Sequence, residues 1–199
     1  RNISSMPICF ISISYINVTF RVLRIGDLRM TINTQEKMHG AAILRLIEAL
    51  SKELPNANFA LKTGVSQSAY YIEGIVPKTL GKGRRAGAGL FIKVSNKRLS
   101  PWRYSFHQDH QDEILKLKST HGETFIALIA GDDGIAGFDF NLFKEVLDDL
   151  HEEQEWVSVT RKPRENYRIK GNNGTLKKPL PRNSFPSILV DYFKRELGL

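Results

Sequence analysis

Cations set among aromatic side chains carry the most legible chemistry in this chain. Lys97, Arg98 and Arg103 surround Trp102 and Tyr104. Positive charge mixed with flat rings suits a single-stranded or distorted nucleic acid, which offers phosphates and unstacked bases together. Trp102, following Pro101, would serve equally as a packing anchor. Arg161, Lys162 and Arg164 fall at an expected hairpin turn, where they could straddle a sugar–phosphate backbone, and Lys177 and Lys178 could extend the track. Arg84 and Arg85 lie in a glycine-rich stretch, PKTLGKGRRAGAG, over residues 77–89. Its glycines fit neither the Walker spacing nor the dinucleotide fingerprint, so it reads as a flexible basic loop. His107, His110 and Gln111 could reach a phosphate or a catalytic water, or simply cap a helix. No two histidines stand at zinc-binding spacing with a third ligand close by.

The distribution of charge supports a polyanionic partner. The 199 residues carry a formal net charge of +8. No Asp or Glu occurs from 74 to 108, a span holding eight Lys and Arg. Residues 109–155 are rich in carboxylates, and residues 161–182 turn basic again with Glu165 as the only acid. Such segregation predicts two basic surfaces flanking an acidic face. A mean hydropathy of −0.28 with charges spread along the chain excludes a polytopic membrane protein. The single cysteine, Cys9, excludes a disulfide framework and a Cys-rich zinc site, and fits a reducing, cytoplasmic setting.

The elements that must position these residues follow from periodicity. Residues 1–29 differ from the rest: apolar and polar residues alternate over 11–15 and again over 16–20 with one slip of phase. We expect a peripheral strand there or a non-native leader, with the functional domain starting near Met30. Asn33 or Thr34 caps a helix reaching residue 54, with Ile43, Leu46, Ile47, Leu50 and Leu54 on its apolar stripe and Pro55 ending it. Short strands are expected over 58–61 and 68–73, and another over 90–95, LFIKVS. A short extended piece at 104–106 precedes a helix over 108–121. Residues 124–130, TFIALIA, form an apolar run between glycines, the mark of a buried central strand. An acidic amphipathic helix is expected over 141–151, a hairpin over 156–160 and 166–169, and a last helix over 185–197 capped by Ser184. The Asp132-Asp133-Gly134 sequence is a turn that could also lend a carboxylate.

This order is α/β, with a central mixed sheet flanked by helices. The run from 90 to 130 resembles the second half of the PD-(D/E)xK nuclease core, in its Holliday-junction-resolvase branch. The matching pieces are Phe91-Ile92-Lys93 where the family has acid-x-Lys, the His110-Gln111 pair opening a helix, and Gly122 ahead of the apolar strand. The resemblance implies a restriction-endonuclease-like core over 30–155, extended by a basic C-terminal hairpin and helix over 156–199. It also implies Glu73 and Glu48 as Mg²⁺ ligands, Lys93 as stabiliser of developing negative charge, Gln111 in support, and a homodimer. One position departs: the family's carboxylate two residues before the lysine is Phe91 here.

Two functions are therefore expected. One is Mg²⁺-dependent hydrolysis of DNA with Glu73, Lys93 and Gln111 as catalytic residues. The alternative is a non-catalytic DNA- or RNA-binding or protein-interaction module that has lost the metal-binding acids. In both, Arg84, Arg85, Lys97, Arg98, Trp102, Arg103, Arg161, Lys162 and Arg164 contact the nucleic acid. Both also require LFIKVS and TFIALIA to share one sheet, with the arginine-rich glycine loop overhanging the same edge.

Overall fold

The computed structural model describes residues 32–64, 66–77, 83–148 and 155–199. The expectations for residues 1–29 lie outside them. Helix α1, Thr34–Glu53, begins at a capping box in which the Asn33 side chain accepts from the Glu36 N–H at 2.8 Å and the Glu36 carboxylate accepts from the Asn33 N–H at 2.7 Å. Its buried stripe is His39, Ala42, Leu46 and Leu50. Ile47, expected inside, is 47% exposed because the stripe is rotated toward His39.

Three antiparallel strands follow, β1 (Asn58–Thr63), β2 (Ala69–Val76) and β3 (Arg84–Ser95). Strand β4 (Trp102–Phe106) and helix α2 (Gln108–His121) lead to β5 (Glu123–Ala130), which pairs in parallel with β3. LFIKVS and TFIALIA are thus neighbours, with Ile92 opposite Ala127. Strand β6 (Gly134–Asp139) completes a mixed five-stranded sheet ordered β1-β2-β3-β5-β6. After the short α3 (Phe140–Lys144), β7 (Glu155–Thr160) and β8 (Arg168–Gly171) join β4 in a three-stranded antiparallel sheet, and α4 (Ser184–Leu197) ends the chain.

Both faces of the five-stranded sheet are covered. Leu90, Ile92, Ala127 and Ile129 pack against Leu46 and Leu50 of α1 and Leu189 and Phe193 of α4. Phe91, Ile126 and Leu128 face the other way, onto Ile114 of α2 and onto Tyr104, Val157 and Ile169 of the smaller sheet. A parallel pair at the middle of a sheet buried on two sides requires the continuous apolar run that residues 124–130 supply. Residues 33–199 form one compact unit, so the boundary expected near 155 falls inside it: β7 pairs with β4.

Several local expectations are corrected. Half of the 77–89 loop is strand, since β3 starts at Arg84, and residues 78–82 lie outside the described set. Gly87 and Gly89 answer to packing, because a Cβ at Gly87 would sit 2.9 Å from the Tyr71 ring and one at Gly89 3.0 Å from Leu117 of α2. The acidic helix stops at Lys144, after which Val146 and Leu147 are buried and the Val146 carbonyl accepts from the Asn173 N–H at 3.1 Å. Strand β6 went unread because Gly134 and Gly137 interrupt its pattern. Ser184 does not cap α4; its hydroxyl accepts from the Gly137 N–H at 3.0 Å and ties the helix to β6. Among the described residues no helix is long and apolar enough to cross a membrane.

Candidate functional site

Lys93 stands near the end of β3, facing the first turn of α2. Its ammonium nitrogen lies 2.9 Å from His110 Nδ1 and 5.1 Å from the centre of the Phe106 ring. His110 Nδ1 also accepts the His107 backbone N–H at 3.0 Å, so that nitrogen carries no proton. Burial lowers the Lys93 pKa to about 8, opposed by the Asp109 carboxylate. Burial also lowers the His110 pKa, and the Lys93 charge adds to the effect. At neutral pH the ammonium therefore keeps its proton and the imidazole stays neutral, and no carboxylate completes a metal site around the pair. Asp109 accepts from the His110 N–H at 2.9 Å, and Glu113 is held by the Ser66 N–H at 3.0 Å and by the Ser66 hydroxyl. Gln111, next along α2, is buried.

The metal ligands implied by the resemblance do not converge. Phe91 is fully buried, with its ring centre 6.4 Å from that of Phe106 and 6.0 Å from that of His110. Glu73 lies opposite Gly87 in the register. Lys93 is six residues farther along β3, roughly 20 Å away at strand rise. Glu73 instead pairs with Arg85 at 3.6 Å and Lys62 at 4.0 Å. It shares a face with Tyr71, whose ring stacks on His121 of α2 at 3.9 Å. Glu48 is exposed on α1, which covers the opposite face. Two carboxylates separated by a sheet cannot hold one Mg²⁺, which demands close octahedral oxygen ligation. Asp133 is taken as well: its carboxylate accepts from Arg161 Nε at 2.8 Å, from Arg161 Nη2, and from the Tyr167 hydroxyl at 3.1 Å. The Arg161 hydrogen bonds hold its pKa below the usual carboxylate range. Among the described residues, no group of three or more His, Cys, Asp or Glu could hold a metal ion. The residues present do not fit the Mg²⁺ expectation.

The expected nucleic-acid contacts divide into two sets. Arg84 donates to the Leu197 and Gly198 carbonyls at 2.9 and 3.1 Å, capping the end of α4, while Arg85 pairs with Glu73. Both lie at the start of β3, some 25–30 Å from Lys93 by strand rise, and because residues 84–89 are paired strand, this part of the arginine-rich stretch does not overhang the sheet edge as expected. Arg161 is committed to Asp133, with its side chain 9% exposed. Trp102 is 3% exposed and its indole N–H donates to the Lys97 carbonyl at 2.8 Å, so the ring is the packing anchor. The Tyr104 hydroxyl likewise points inward, to the Ile129 carbonyl at 2.9 Å.

The second set comes together. The Arg161 backbone N–H donates to the Ser100 hydroxyl at 3.2 Å, and Trp102 lies opposite Val159. The loop carrying Lys97 and Arg98 therefore adjoins the turn carrying Lys162 and Arg164, and all four are exposed. Beside them the smaller sheet turns one face to the core, through Tyr104, Val157, Val159 and Ile169, and the other outward. Alternation puts Arg103 and Ser105, Trp156, Ser158 and Thr160, and Arg168 and Lys170 on that outer face. Arg103 lies across from Ser158, and Ser158 across from Lys170. The Arg103 guanidinium sits 4.2 Å over the Trp156 ring. None of these outward residues is acidic; Glu155 faces inward and is 2% exposed. Sequence reasoning missed Trp156, Arg168 and Lys170 as a set. The alternation in EWVSVT and RIKG would have exposed it, given the pairing with β4.

No protein-family description, curated protein or solved structure matches this chain.

Proposed function

We propose that this chain binds nucleic acid, DNA in the first instance, through the outer face of the β4-β7-β8 sheet and the two loops beside it, on a nuclease-like scaffold without the family's metal chemistry. The observation that carries this reading is one open sheet face bearing Arg103, Arg168 and Lys170 with three hydroxyls, one indole and no carboxylate. Lys97, Arg98, Lys162 and Arg164 continue the positive surface past its end. Cations fixed on a rigid sheet neutralise phosphates at little ordering cost, and the counterions they release drive binding. Hydrolysis draws no comparable support, since Glu73, Glu48 and Lys93 stand apart.

Retention of labelled DNA in Mg²⁺-free buffer tests the reading. If three to five phosphates are neutralised, log affinity should fall with log salt at a slope of roughly −2 to −4. The Arg103→Glu, Arg168→Glu, Lys170→Glu triple variant should lose retention, whereas Arg84→Glu should keep it. Full retention by the triple variant, or binding indifferent to salt, would refute the assignment. Plasmid incubated with Mg²⁺ or Mn²⁺ should remain uncut, both for the intact protein and for Lys93→Ala.

A further inference from the structure

We infer that this surface, on the reading just proposed, takes single-stranded rather than duplex nucleic acid, with one base stacked against the Arg103–Trp156 pair. Trp156 is half-buried on the outer face, and the Arg103 guanidinium carbon lies 4.2 Å from its ring centre. An indole and a guanidinium both offer planar surfaces that accept a base of any identity. The pair sits toward one end of β7, and the phosphate-binding cations Arg168 and Lys170 sit one strand away. Adjacent strands are about 4.8 Å apart, and residues two apart on one strand about 7 Å apart. A flexible strand can therefore lay its backbone along β8 while a base reaches across β7 to the aromatic platform. A duplex keeps its bases stacked inside and presents only phosphates to a flat face. Ser158, across from Arg103 on one side and from Lys170 on the other, adds a hydroxyl able to donate to phosphate or base oxygens.

The chain has two tryptophans, and Trp102 is buried with its N–H bonded to the Lys97 carbonyl. Fluorescence quenching by a ligand on the outer face therefore reports Trp156. Titration with oligothymidylate, with a duplex of equal length and with an abasic strand of equal phosphate count separates stacking from charge. We expect oligothymidylate to bind most tightly and to quench. Trp156→Ala should weaken it roughly tenfold while leaving the abasic strand unchanged. Trp156→Phe should keep affinity within about threefold and lose the quenching. Circular dichroism and thermal melts establish that both variants fold. Equal weakening of thymidylate and abasic strand, or no quenching in the intact protein, would overturn the stacking inference and leave salt-dependent nucleic-acid binding standing. Failure of all three ligands to bind would remove both.

Discussion

The two sheets of this protein handle polar groups in opposite ways. The five-stranded sheet is covered on both faces, by α1 and α4 on one and by α2 and the smaller sheet on the other. A polar side chain there must be shared or partly neutralised, and Lys93 is both: it leans on His110 and its pKa falls to about 8. The three-stranded sheet is covered on one face only. Its core side ties it to the larger sheet through residues such as Tyr104, whose hydroxyl reaches Ile129. Its outer side leaves Arg168 and Lys170 exposed to water. Chemistry that needs a perturbed group belongs to the first sheet, and chemistry that needs an open charged plane belongs to the second. The nuclease expectation leaned on the first, whereas the free surface belongs to the second.

The comparison breaks hardest at Phe91. Phe91→Asp would restore the acid-x-Lys spacing, but it puts a carboxylate at a position with no solvent exposure, among Phe106, Ile126 and Leu128. We expect a loss of at least about 4 kcal/mol in urea unfolding, with no nuclease activity gained. A stable variant that cuts DNA in Mg²⁺ would mean that the buried sheet hosts the reaction after all.

Next in size is Asp133→Ala at the junction of the two sheets. It removes the carboxylate partner of the Arg161 guanidinium, whose side chain is 9% exposed and keeps its Nη1 bonds to the Lys162 and Glu165 carbonyls, and it unpairs the Tyr167 hydroxyl. The expected cost is about 2 kcal/mol, or a melting temperature lower by about 4–8 °C. An unchanged melt would show that the smaller sheet holds its place without this tie.

A smaller effect is predicted for pH. The folded Lys93 pKa lies below that of an unfolded lysine, near 10.5, so between about 8 and 10.5 the unfolded chain binds more protons. Stability should therefore rise with pH across that window and carry the full penalty below it. His110 titrates below the window because its pKa is lowered. Tyr167, pushed up to about 12, acts in the opposite sense above pH 10, since burial keeps it protonated in the fold. The difference between the intact protein and Lys93→Met cancels the tyrosine contribution. That difference should change by about 1–2 kcal/mol over the window, after allowance for solvent screening of a half-buried amine. Parallel pH profiles would contradict the desolvated state of Lys93.

The least effect on the fold is expected at Arg168→Glu with Lys170→Glu. Both are exposed, so stability should stay within about 0.5 kcal/mol even as nucleic-acid retention is lost. A drop of several degrees in the melt would assign these cations to the fold instead.

Much of the architecture was legible in the residues. The Asn33 cap of α1, one of two candidates, the apolar run of β5 and the Gly122 end of α2 are local signals, read from neighbours in sequence and found where expected. That β3 and β5 share a sheet was expected, and their direct parallel pairing came from the structure. The candidate site was less legible. Glu73 and Lys93 each look apt alone, and only the register puts about six strand residues between them. Arg84 and Arg161 look like free cations until tertiary contacts assign them to the end of α4 and to Asp133.

Local pattern thus determined most of the helices and strands, though not β6 or the first half of β3, and showed that positive charge clusters in two stretches. Only the tertiary structure decided which cations remain free. It buried Trp102, left Trp156 beside Arg103, and brought β4 from mid-chain against β7 from near the end. The reason is physical. Helix and strand periods are set by backbone geometry over a few residues, whereas burial and charge pairing depend on side chains that approach across the fold from dozens of positions away.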